Sequence, residues 1–150
     1  VSWVDQSRRE AFETSLRLSA ERRGELVGGK PFARELDRVL PEETKARALA
    51  IGNELILPYE DALAAIAIAT QDQIAVLGFE SGEVLDTGFQ VLGYNGYDFK
   101  FHGDWNAYVL ANNNAAELWI KANRVGRNHG YVITSVSEKE FARNNHRETK

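Results

Sequence analysis

The chain has no cysteine among its 150 residues. That removes disulfides, thiolate metal sites and cysteine nucleophiles together. A domain of this length buries about 70% of its unfolded surface, so a core forms without covalent staples. The absence agrees with a reducing cytosol, the compartment expected here. Histidine is scarce: His102, His129 and His146 are the full set. No metal site is expected from so few ligands. Long apolar runs are missing as well. The longest, Ala62 to Ala69, has eight residues, whereas a helix needs roughly 20 to span a bilayer. No membrane partner is therefore expected. The first residues lack a basic region followed by an apolar stretch, so no signal peptide is read, while Val1 leaves room for an earlier segment. A Gly-x-Ser-x-Gly elbow, a Walker loop and a dinucleotide glycine pattern are all missing. No catalytic residue and no cofactor is assigned, and the balance leans away from an enzyme.

Basic residues are almost absent from the middle of the chain. Residues 51–100 hold Lys100 alone against eight acids, net −7, while the flanking segments are net +1 and +2. Phosphate binding needs clustered Lys and Arg, so nucleic acid is not an expected partner. An acidic block suits a basic protein partner steered electrostatically, or simply a solvated face.

Aromatic residues, by contrast, crowd one stretch. Phe89, Tyr94, Tyr97, Phe99, Phe101, Trp105 and Tyr108 fall within twenty positions. Large aromatics dominate both cores and interfaces. Asn95-Gly96 lies among them, flanked by strand-forming runs, and predicts a two-residue hairpin turn. Such a turn pairs Tyr94 with Tyr97, Leu92 with Phe99 and Gln90 with Phe101 on a face expected to be buried. Asp86-Thr87-Gly88 is a further turn signal.

The remaining elements follow from periodicity and punctuation. Phe12, Leu16 and Ala20 mark a helix from about residue 5 to 26, stopped by Gly28-Gly29-Lys30-Pro31. Helices follow over 32–40 and from Pro41 to about Ile51. A short strand is read at 54–57. A helix from Pro58 to about Gln71 precedes a buried strand at 74–79, and a single longer helix to Leu77 is the alternative. Asp104 is placed to cap a helix over 105–123, and Gly126 to end it. Residues 131–136 alternate as a strand. Ser137 with Glu140 forms a capping box for a short last helix through Phe141. Helices lead and strands cluster later, which favours an α+β fold. N-terminal helices are expected on a small, mainly antiparallel sheet, with the 105–123 helix against it. The reading is one domain over 1–150: a helical part to 51, a mixed part over 52–145 and a flexible tail at 146–150.

Candidate sites are few. Asn112 falls in the apolar stripe Trp105, Val109, Asn112, Ala116, Trp119. An unpaired buried amide there costs about 1–3 kcal/mol. It is either held for a ligand or bonded to a neighbouring backbone edge. Asn113 and Asn114 are expected to be exposed. His102 and Asp104 stand two apart as a base and an orienting carboxylate would, yet capping explains Asp104 and the outer hairpin face explains His102. Arg124, Arg127 and His129 crowd a glycine-containing loop suited to an anion, although the helix dipole also explains Arg124. Candidate binding residues are therefore Tyr94, Tyr97, His102, Trp105, Asn112, Arg124, Arg127 and His129. Two functions fit. One is a small acidic cytosolic module that binds a basic protein, with the physical profile of a bacterial inhibitor or immunity-type protein against a toxin or nuclease. The other is a small-ligand enzyme or sensor with a pocket between the aromatic hairpin and the 105–123 helix. Self-association is compatible with either.

Overall fold

The computed structural model describes residues 34–51, 54–86, 88–97, 99–123 and 129–148. Five helices and five strands alternate irregularly along them. Helix α1 is Glu35–Val39, α2 is Glu42–Arg47, β1 is Leu49–Ile51, β2 is Glu54–Pro58 and α3 is Tyr59–Gln71. Strands β3, Ile74–Leu85, and β4, Gly88–Gly96, lead to α4, Trp105–Ala122, then β5, His129–Ser137, and α5, Glu138–Glu148. The strands form one sheet in the order β1-β2-β5-β3-β4, with every neighbouring pair antiparallel. The fold is α+β, with helices against an antiparallel sheet.

Helix signals local to their own turn hold. Asp104 Oδ1 accepts from the Ala107 amide at 3.1 Å and opens α4. At the start of α5 the Ser137 amide donates to Glu140 Oε1 at 2.8 Å, and the Glu140 amide donates back to Ser137 Oγ at 3.1 Å. That is the capping box read from the sequence. Helix α5 runs on to Glu148, well past Phe141. Helix α3 ends at Gln71 and β3 begins at Ile74, so residues 60–78 are helix then strand. The expected helix over 5–26 and the Gly126 stop lie outside the described residues.

Two expected elements are corrected. The helix beginning at Pro41 ends at Arg47, and Leu49 to Ile51 pair with Glu54 to Ile56 as strand instead. Pairing lets Leu49 and Ile56 bury completely on one face of the sheet with Val84 and Val132, which continuing the helix would forgo. The second correction is larger. Asn95-Gly96 does not turn the chain: Asn95 pairs with Phe79 and Gly96 with Gly78, inside β4. The reversal falls between Leu85 and Gly88, which pair with each other, and Gly88 has φ +148° there. Few residues other than glycine tolerate that backbone. The reason is β3. Its twelve residues offer the whole outer edge to a returning strand, and many ladder bonds outweigh one local turn preference.

The main core lies between the sheet and α1, α3 and α4. Leu36, Ala65, Ile66, Ala116 and Ile120 meet Leu57, Val76, Phe79, Tyr131 and Ile133. At the far end Phe101, Trp105, Tyr108 and Phe141 form a ring cluster with centroids 5.2–6.0 Å apart. It closes over Ala75 and Val136. The Trp105 indole N–H donates to the Gln73 carbonyl at 2.7 Å, which fixes the start of α4 at the start of β3.

Candidate functional site

Strand β4 forms an outer edge of the described sheet. It reads Gly-Phe-Gln-Val-Leu-Gly-Tyr-Asn-Gly and contains no charge and no proline. Free edges usually carry such guards, because an unpaired row of N–H and C=O groups templates another strand. The register steps from Ser81 opposite Gly93 to Gly82 opposite Val91. Leu92 is therefore the extra residue of a bulge. Val91 is 49% exposed, Leu92 57% and Tyr94 66%. Tyr94 lies across the Gly78–Gly96 pair. A Cβ on Gly78 would sit 2.5 Å from the Asn95 carbonyl oxygen and 3.2 Å from the Tyr94 hydroxyl. The ring covers that stretch of backbone only because both positions are glycine.

Past Gly96 the chain keeps to the same edge of β3. The Tyr97 amide donates to the Leu77 carbonyl at 2.9 Å, and its ring stacks on Phe99 at 6.2 Å. The Tyr97 hydroxyl is buried without a hydrogen-bond partner, and burial pushes its phenol up to about 12. Phe99 and Phe101 follow, both exposed. From Gly88 to Phe101, large apolar side chains thus mark one border of the sheet. The β3–β4 hairpin carries charge of one sign: residues 74–96 hold Glu80, Glu83 and Asp86 and no Lys or Arg. Beside this border, Phe99, Lys100, His102 and Tyr108 line a hollow of about 250 Å³ against the start of α4, together with Ala107 and Ala111.

The structure scatters the residues named from sequence. Tyr94 is on the exposed edge, and Tyr97 is half-buried beside it. His102 is exposed in the hollow. Trp105 belongs to the ring cluster and Asn112 to the α4 interior. His129 pairs with Glu83, whereas Trp105 lies by Gln73, the neighbour of Ile74 and so of Ser137. Those ends of β5 are roughly 25 Å apart at strand rise, so Trp105 and His129 do not share one pocket. Arg124 and Arg127 lie outside the described residues.

Leu92, Tyr94, Phe99 and Phe101 were expected on a buried face and are exposed, because the turn that would have folded them inward sits elsewhere. Of the asparagines, Asn112 is buried and Asn114 exposed as expected, and Asn113 departs from expectation. Asn113, expected at the surface, is buried and takes the amide of Val76 at 2.7 Å while donating to the Ile74 carbonyl at 3.0 Å. Those two groups lie on the β3 edge beyond the last β4 pair, so a helix side chain completes the ladder there. Asn112 is fully buried. Its Nδ2 donates to the Tyr108 carbonyl at 2.8 Å, and its Oδ1 has no partner.

Among the described residues no three His, Asp or Glu side chains gather as a metal site would require. No described helix is long and apolar enough to cross a membrane. No family model matches this chain, and no curated protein or solved structure matches it either.

Proposed function

We propose that this chain is a protein-binding module with no chemistry of its own, and that it takes a basic partner along the outer edge of β4. The observation that carries this reading is the unguarded strand: nine uncharged residues with Val91, Leu92 and Tyr94 turned outward. An added strand would draw affinity from main-chain hydrogen bonds and specificity from those side chains. Acids at 80, 83 and 86, with no cation among residues 74–96, would steer a basic segment and repel a second copy of this hairpin. A small cytosolic bacterial inhibitor that neutralises a basic toxin or nuclease has these properties, and that is the role we assign. The hollow between Lys100, His102 and Tyr108 supports the second reading, a small-ligand sensor.

Capture from native lysate, with wild-type and Leu92→Lys protein as paired baits at low and moderate salt, tests the first reading. A basic protein held by the wild type, weakened by salt and lost with the variant, is the expected result. Recovery of no basic protein at either salt, or equal recovery by both baits, overturns it.

A further inference from the structure

A second concavity lies where α1, Leu77 of β3, the end of β5 and α5 meet. Its volume is about 340 Å³, and Arg34, Leu77, Thr134, Val136, Glu140 and Arg143 line it. Three kinds of group converge there. Leu77 and Val136 supply an apolar floor. Two guanidinium groups supply planar donor forks, which match a carboxylate in geometry. Thr134 adds a hydroxyl that makes no hydrogen bond among the described residues.

The two arginines are differently engaged. Arg34 donates from one nitrogen to the Ile133 carbonyl at 3.0 Å, and the other stands 3.8 Å from Glu54. That anchors its guanidinium at the cavity wall without saturating its five donors. Arg143 is exposed, and its side chain makes no hydrogen bond or ion pair among the described residues. Acidic groups limit the charge the cavity accepts. Glu140 lines it, with Oε1 already committed to the Ser137 amide. Asp37 and Glu54 stand close enough to feel Arg34 and one another. A dianion such as phosphate meets two cations but also this carboxylate ring. A monoanion is better matched.

We infer that the cavity between Arg34 and Arg143 binds a short-chain monocarboxylate, its carboxylate on the guanidinium groups and its alkyl part on Leu77 and Val136. An α-ammonium group on the same compound would face Glu140. The inference stands apart from the β4 reading, since it uses none of the same residues.

Calorimetric titration of the full chain with isovalerate, L-leucine and inorganic phosphate tests it, alongside Arg143→Ala and Thr134→Val proteins. Both substitutions sit at the cavity wall, and circular dichroism melting checks that each variant folds. Isovalerate or leucine should bind in the millimolar range or tighter, more tightly than phosphate. Arg143→Ala should weaken binding about tenfold, and Thr134→Val should weaken it several-fold at most. Leucine binding well above isovalerate adds Glu140 as the ammonium acceptor, whereas equal binding confines recognition to the carboxylate. Heat from neither acid at about 10 mM, preference for phosphate, or affinity unchanged in folded Arg143→Ala protein overturns the inference.

Discussion

Asn113 shows how much one side chain can hold. Strand β3 is longer than its partner β4, so Ile74 and Val76 would face the interior with an unpaired carbonyl and amide. The Asn113 amide matches both, as a neighbouring strand would, and its Nδ2 also donates to Thr70 Oγ1 at 2.9 Å. Thr70 Oγ1 in turn donates to the Ile66 carbonyl at 2.9 Å, so α3, β3 and α4 meet in one network. Truncation leaves buried main-chain groups unsatisfied rather than merely losing a contact. Asn113→Ala should therefore destabilise the protein by about 2–4 kcal/mol, read as a shift in urea midpoint at unchanged slope. Asn114→Ala next to it, exposed on the same helix, should move the midpoint little. Equal effects at the two positions would show that Asn113 is not the strand-edge partner. Sequence showed that an asparagine must be buried here, because the stripe on α4 is periodic. It placed Asn112 there correctly and missed Asn113, whose role depends on where β4 stops, more than fifteen residues away in sequence.

Elements with local causes were legible, and elements decided by pairing were not. The caps at Asp104 and Ser137–Glu140 act within one helical turn, so their residues alone specify them. The α3–β3 boundary was ambiguous from sequence, because Ile74 and Leu77 continue the helical face of Leu63 and Ile66. The sheet resolves it by pairing β3 with β5 from Ile74 to Glu83 and with β4 from Gly78 to Leu85. Asn95-Gly96 fails to turn for the same reason: its local turn preference carries no information about the length of β3. The consequence is functional, since that preference hides the exposed edge. Strand β4 now carries two opposed predictions. Leu92→Lys should leave stability within about 0.5 kcal/mol, because the residue is the exposed extra of a bulge, while removing partner binding. Gly78→Ala should unfold the hairpin, because a methyl would sit 2.5 Å from the Asn95 carbonyl oxygen and 2.9 Å from Gly96 Cα. Both neighbours are backbone and cannot rotate away. Hydrogen exchange across residues 88–96 checks it: loss of protection in Gly78→Ala but not in Leu92→Lys is the expected pattern, and retained protection in Gly78→Ala would contradict the close approach.

At the scale of the whole molecule, four elements converge on one buried acid. Asp37 on α1 is 8% exposed and makes no hydrogen bond or ion pair among the described residues. Burial raises its carboxyl from 3.8 to about 6; Arg34 and Lys45 pull it down, and Glu54 and Glu140 push it up. The folded protein thus holds this proton more tightly than the unfolded chain. Between about pH 4 and 6 the native state binds the extra proton, so stability from this group is full below pH 4, falls as pH rises, and is lost above about 6. A shift of this size corresponds to at most about 3 kcal/mol, and less if water reaches the carboxyl on opening of α1. Asp37→Asn keeps the shape and removes the charge. It should stabilise the protein at pH 7 by about 1–3 kcal/mol and leave it near wild type at pH 4. The informative quantity is the difference between the two proteins. Urea unfolding of both at pH 4, 5, 6 and 7 measures it. The gap should open with rising pH and level off above pH 6. A gap that stays constant across the series would mean that Asp37 titrates alike in the folded and unfolded chain, and that its burial carries no electrostatic penalty.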